Sequence, residues 1–136
     1  MKVNFETIYE HVGYLFFALT QQKKKLSSEE LMRLHRLVDT YWRQTPNGDI
    51  TLYIHLTDCI HDGIKHATTE AWSSEAAWHS FENYYKLHAM PFGTALKEKI
   101  FTFISILNKE FPGNEQYIQK TLQHLKDIMI FKPVLQ

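Results

Sequence analysis

Apolar residues recur every three or four positions along most of the chain, the spacing of a helix with one buried face. Phe5, Ile8, Tyr9, Val12, Leu15, Phe16 and Leu19 make the first such stripe, and Tyr14 and Phe17 widen it. A helix apolar around so much of its girth belongs at the centre of a bundle. Asn4 is a good N-cap, and Glu6 stands in the first turn, where the helix dipole favours an anion. Leu31, Leu34, Val38 and Tyr41, with Trp42 beside them, form the second stripe. It opens on Ser27 and Glu30, the spacing of a capping box. Thr45-Pro46-Asn47-Gly48-Asp49 supplies turn residues that end it.

The segment from Asp49 to His66 carries two patterns at once. Ile50, Leu52, Ile54 and Leu56 alternate, so residues 50–56 read as a strand. Tyr53, Leu56, Ile60 and Ile64 keep helical spacing for longer. A single strand among helices would leave its backbone groups without partners. The spacing therefore favours a helix, with a strand paired across a dimer interface as the alternative. Beyond it, Ser73 or Ser74 with Glu75 starts a helix whose face is Trp78, Phe81, Tyr84, Tyr85 and Leu87. Met90-Pro91-Phe92-Gly93 breaks it. Leu96, Ile100, Phe103, Ile104 and Leu107 define the next helix, which ends at Phe111-Pro112-Gly113. Asn114 is placed to cap the last, carried by Ile118, Leu122, Leu125 and Met129, and the tail from Lys132 to Gln136 reads as irregular. The expected fold is all-α, one compact domain over residues 1–136 with about five to six helices, joined by connections short enough for antiparallel neighbours.

Composition supports that reading. The chain has 136 residues, 44% of them hydrophobic, with 9 Phe, 7 Tyr and 3 Trp, ample for a core without a metal or disulfide. Fifteen basic and 15 acidic residues cancel, which counts against a nucleic-acid partner. The lone Cys59 allows no internal disulfide and fits a reducing compartment. Glu6, Glu10 and His11 interrupt the N-terminal apolar stretch, so it does not read as a secretory signal. No stretch approaches the length of a membrane span. These points together suggest a cytoplasmic protein.

The densest set of potential ligands is His55, Asp58, Cys59, His61, Asp62 and His66. On a helix, His55, Asp58 or Cys59, Asp62 and His66 share one face, and imidazole and carboxylate at that spacing can hold zinc or iron. The same face lies opposite the Tyr53–Leu56–Ile60–Ile64 stripe, so the ordinary reading is a solvated surface. Glu75, His79, Glu82 and His88 form a second set, but no Glu-x-x-His pair of the bundle di-metal type occurs. Lys23, Lys24, Lys25, Arg33, Arg36 and Arg43 could make a basic patch, though without interleaved aromatics. The aromatic set Trp72, Trp78, Phe81, Tyr84, Tyr85 and Phe92 suits a core or an interface. The five glycines are scattered, and no GxxxxGK[ST] phosphate loop is present. No catalytic residue, cofactor site or metal site is assigned from these patterns.

Residues 11–38, HVGYLFFALTQQKKKLSSEELMRLHRLV, resemble the tellurite-resistance TerB-like family. Ala18-Leu19 matches the family's helix end, Lys25-Leu26-Ser27 the turn exit and Glu30 the acid of the following helix. The family's Asp-Gly falls on Lys23-Lys24, which replaces an acidic group with a cationic one. The resemblance implies a compact helical bundle associated with stress responses and protein contacts. The expected function is accordingly a non-enzymatic interaction module, self-associating as a homodimer or binding another protein. The alternative is a metal-binding or metal-dependent protein using the His55–His66 segment.

Overall fold

The computed structural model describes residues 4–21, 25–43, 50–111 and 115–129. The described residues form six helices and no strand: α1 (Phe5–Thr20), α2 (Ser28–Trp42), α3 (Ile50–Thr69), α4 (Ser74–Leu87), α5 (Thr94–Glu110) and α6 (Glu115–Met129). The all-α expectation holds. Lys23, Lys24, the Thr45–Asp49 turn, Asn114 and the tail from Lys132 lie outside the described residues.

The caps explain why the helices begin where they do. Asn4 Oδ1 accepts from the Thr7 amide at 3.0 Å. Ser27 and Glu30 complete a reciprocal box, with Glu30 N–H on the Ser27 hydroxyl at 3.1 Å and Ser27 N–H on the Glu30 carboxylate at 2.9 Å. Ser73 caps α4 by accepting from Ala76 N at 3.0 Å. Each bond satisfies a donor that has no partner inside its helix.

Helix α1 is the axis of the bundle. Every residue from Val12 to Thr20 is buried, and the helix packs against α3, α4, α5 and α6. Its crossing with α3 is unusually close because Gly13 faces Gly63. A Cβ added at Gly13 would stand 2.3 Å from the Ile60 carbonyl oxygen, and one at Gly63 would stand 2.1 Å from that of Glu10. Phe16 meets Phe103 of α5 at 4.6 Å and Trp42 of α2 at 5.7 Å between ring centroids, so one side chain ties three helices together.

The segment with two patterns resolves as the 20-residue helix α3. Leu56, Ile60 and Ile64 are buried, while Ile54, apolar in the alternating pattern, is 41% exposed. Burial follows the 3.6-residue period and leaves the two-residue period without a buried face. The strand alternative for residues 50–56 is therefore set aside. No helix of the described residues is long and apolar enough to cross a membrane.

Candidate functional site

A cleft of about 980 Å³ opens beside the C-terminal end of α1. A ligand pocket of this order is large enough for a nucleotide-sized molecule. Its wall starts with the end of α3. Ala71 takes a left-handed backbone, φ 55°, and the amides of Ala71 and Trp72 return to the carbonyls of Thr68 and Ala67 at 3.1 and 3.0 Å. That is the double hydrogen bond of a Schellman helix end. The turn carries Trp72 across to Tyr14, with ring centroids 4.9 Å apart. The Gln21 side chain fixes it there: its amide donates to the Trp72 carbonyl at 2.9 Å, and its oxygen accepts from Leu26 N at 3.4 Å. The ends of α1 and α3 and the entry to α2 are thereby held together.

The lining combines aromatic faces with basic groups. Phe17, Trp72, Trp78 and Tyr117 supply the apolar surface, Lys25 and Lys120 the cations, and His79 and His124 two imidazoles. Glu75 is the acid of the lining, near the capped start of α4. Behind the imidazoles stands Glu82, 12% exposed, which accepts from His124 Nε2 at 2.9 Å and pairs with Lys86 Nζ at 3.4 Å and His79 Nδ1 at 3.7 Å. Burial alone would raise the Glu82 carboxyl. The hydrogen bond from His124 and the charge of Lys86 outweigh it and hold the group below the usual carboxylate range.

The anticipated ligand face of α3 does not converge. His55 pairs with Glu6, and Asp58 receives Arg43 Nη2 at 2.8 Å. Asp62 and His66 are exposed, and His66 packs its ring on Trp72 with centroids 5.2 Å apart. Cys59 is buried, and burial followed by the nearby carboxylates pushes its thiol up to about 11, which leaves it poorly ionised as a nucleophile. No group of three His, Cys, Asp or Glu side chains among the described residues could hold a metal ion.

His61 is the buried histidine of that set and turns toward α2. Its Nε2 lies 2.7 Å from Asp39 Oδ1 and its Nδ1 2.6 Å from His35 Nδ1. Arg43 reaches both Asp39 and Asp58 at 2.8 Å, so this polar seam joins α2 to α3. Of the basic set, Lys23 and Lys24 lie outside the described residues, and Lys25 borders the cleft. Arg43 is committed to the seam, and Arg33 donates to the Glu110 carbonyl at 2.9 Å and lies over Phe111. Of the aromatic set, Phe81, Tyr85 and Phe92 enter the core, while Trp72 and Trp78 line the cleft. The sequence reading missed Gln21 and the Glu82–His124 bond. Glu82 and His79 are neighbours on one helix, but His124 lies 42 positions away and gives no local signal.

A family model described as the Gtr1/RagA G protein conserved region matches residues 1–135. No curated protein and no solved structure matches the chain. The family match overturns the TerB-like expectation, whose resemblance covers residues 11–38 only. The stress-related, self-associating interaction module inferred from that label falls with it. The metal alternative on the His55–His66 segment is set aside on the same match and on the dispersed side chains of that face.

Proposed function

The chain belongs to the Gtr1/RagA G-protein family, and from that premise we propose that it is a guanine-nucleotide-binding regulatory protein whose ligand sits in the α1–α4–α6 cleft. The observation that carries the reading is the family match along residues 1–135. The donor set of the cleft agrees with it. Trp72, Trp78 and Tyr117 offer faces for a purine base, and Lys25 and Lys120 offer charge for phosphates.

The cleft holds phosphate differently from a Walker-type loop. The sequence has no GxxxxGK[ST]. Gly13 and Gly63 serve the helix crossing, and Gly93 is the N-cap residue of α5. No glycine-rich cradle of backbone amides is therefore formed by the described residues, and no hydrolytic step is assigned to the chain. The regulatory reading is one of binding and release. It fits a single domain over 1–136 working in the cytoplasm, where guanine nucleotides are available.

Titration with fluorescently labelled GDP and GTP tests this. Saturable binding that unlabelled GDP competes away, and that Trp78→Ala and Lys120→Ala each weaken about tenfold, is expected. Absence of binding to either nucleotide would overturn the reading.

A further inference from the structure

We propose that a guanine nucleotide enters the cleft base first, and that the Thr121 hydroxyl on the cleft floor is the group that meets the leading edge of the base. The proposal rests on the reading above and adds to it the depth at which each part of the ligand lies.

The cleft is graded in polarity from floor to rim. Phe17, Leu26 and Thr121 line it and are buried, Phe17 to 1% exposure and the other two to 7%. Trp72, Trp78 and Tyr117 are half-buried and make the walls. Lys25, Glu75, His79, Lys120 and His124 are exposed and make the rim. A phosphate chain taken to the floor would lose its water without meeting a cation, which is costly for any charged group. At the rim it keeps water and meets Lys25 and Lys120. The base, with its two broad apolar faces, fits between the aromatic walls and above the floor.

Thr121 is the polar exception on that floor. The other buried threonines use their hydroxyls inside the fold: Thr20 donates to the Phe16 and Phe17 carbonyls at 3.0 and 3.2 Å, and Thr57 to the Trp42 carbonyl at 3.1 Å. Thr68, which also lines the cleft, donates to the Ile64 carbonyl at 2.8 Å. The Thr121 hydroxyl has no hydrogen-bond partner among the described residues. Buried polar groups are nearly always paired, so an unused hydroxyl on a cleft floor marks a place for a ligand atom. In a guanine nucleotide the atoms farthest from the sugar and phosphates are O6, N1–H and the 2-amino group. These lead when the phosphates stay at the rim. A hydroxyl donates to O6 or accepts from N1–H, so either meets Thr121 with a matched partner.

Displacement of fluorescently labelled GDP from the full chain, by unlabelled GDP and by guanosine, separates the two ends of the ligand. Thr121→Val removes the hydroxyl and keeps the shape of the side chain. It is expected to weaken both competitors about fivefold, at low and high salt alike. Thr121→Ser keeps the hydroxyl and should restore most of the affinity, which a packing role would not do. Lys120→Ala should weaken GDP about tenfold and leave guanosine unchanged. Circular dichroism establishes that each variant is folded, and Thr121→Ala repeats the test should Thr121→Val fail to fold. GDP that binds Thr121→Val as tightly as the wild-type chain overturns the proposal and keeps the nucleotide reading. So does a Thr121→Val that weakens GDP but not guanosine, since the hydroxyl then meets a phosphate. Guanosine that does not compete while GDP does also overturns it, because a base-first fit holds the nucleoside without its phosphates. No binding of GDP to the wild-type chain removes both readings together.

Discussion

Gly63 is where a single hydrogen atom decides how near two helices can come. Alanine there would improve helix propensity by about 1 kcal/mol. Its methyl, however, would stand 2.1 Å from a backbone oxygen of α1, which no rotamer change can relieve. Gly63→Ala is expected to destabilise the fold by about 3 kcal/mol, read from urea unfolding. At the same scale, the His35–His61 contact needs one nitrogen to donate and the other to accept. Burial, then the nearby charges of His61 and Lys65, lowers His35 from 6.5 to about 4. The unfolded chain thus binds a proton between those two values that the folded chain refuses. The stability contributed here is complete above about pH 6.5 and is lost as the pH falls toward about 4. Unfolding midpoints measured at pH 7 and pH 5 should differ, and His35→Gln should narrow the difference. Carboxylates such as Asp39 and Glu82, held low by their partners, act in a lower window, where acid protonates them.

Among the described residues, the backbone strain falls at the end of α3. Ala71 occupies a left-handed conformation that glycine adopts freely. Ala71→Gly should stabilise the protein by about 1 kcal/mol in thermal or urea melts. Because the same turn holds Trp72 in the cleft wall, the substitution also reports on how firmly that wall is set. Helix starts were legible from the sequence wherever a cap is local: Asn4, Ser27 with Glu30, and Ser73 all occupy the positions their side chains dictate. The long period of α3 was legible too, since Ile60 and Ile64 extend it past the reach of the strand pattern. The cleft was not. Its walls come from the ends of α1 and α3 and from α4 and α6, and helical spacing says nothing about which ends meet. The ligand face of α3 failed as a site for the same reason: two of its side chains found partners on other helices or helix ends, Glu6 for His55 and Arg43 for Asp58.

At the scale of the molecule, α1 holds the bundle and the other helices are arranged around it. Amide hydrogen exchange should be slowest across Val12–Thr20 and fastest among the exposed positions of α2 and α6. Phe16→Ala, which empties the junction of α1, α2 and α5, should lower stability by about 4 kcal/mol in urea unfolding. Family membership and fold class come from different properties of the chain, and the contrast is informative. A short local motif suggested TerB-like proteins, whereas the whole length of the chain matches a G-protein family. The three tryptophans divide along the same architecture. Trp42 is sealed in the core beneath Lys99, at 4.9 Å, and Trp72 and Trp78 border the cleft. The His124 ring meets Trp78 at 5.3 Å, so the Trp78 indole senses its surroundings from the edge of the cleft. The protein therefore carries its own optical gauge: light from Trp78 changes when a molecule enters the cleft, while light from Trp42 reports only whether the core is intact.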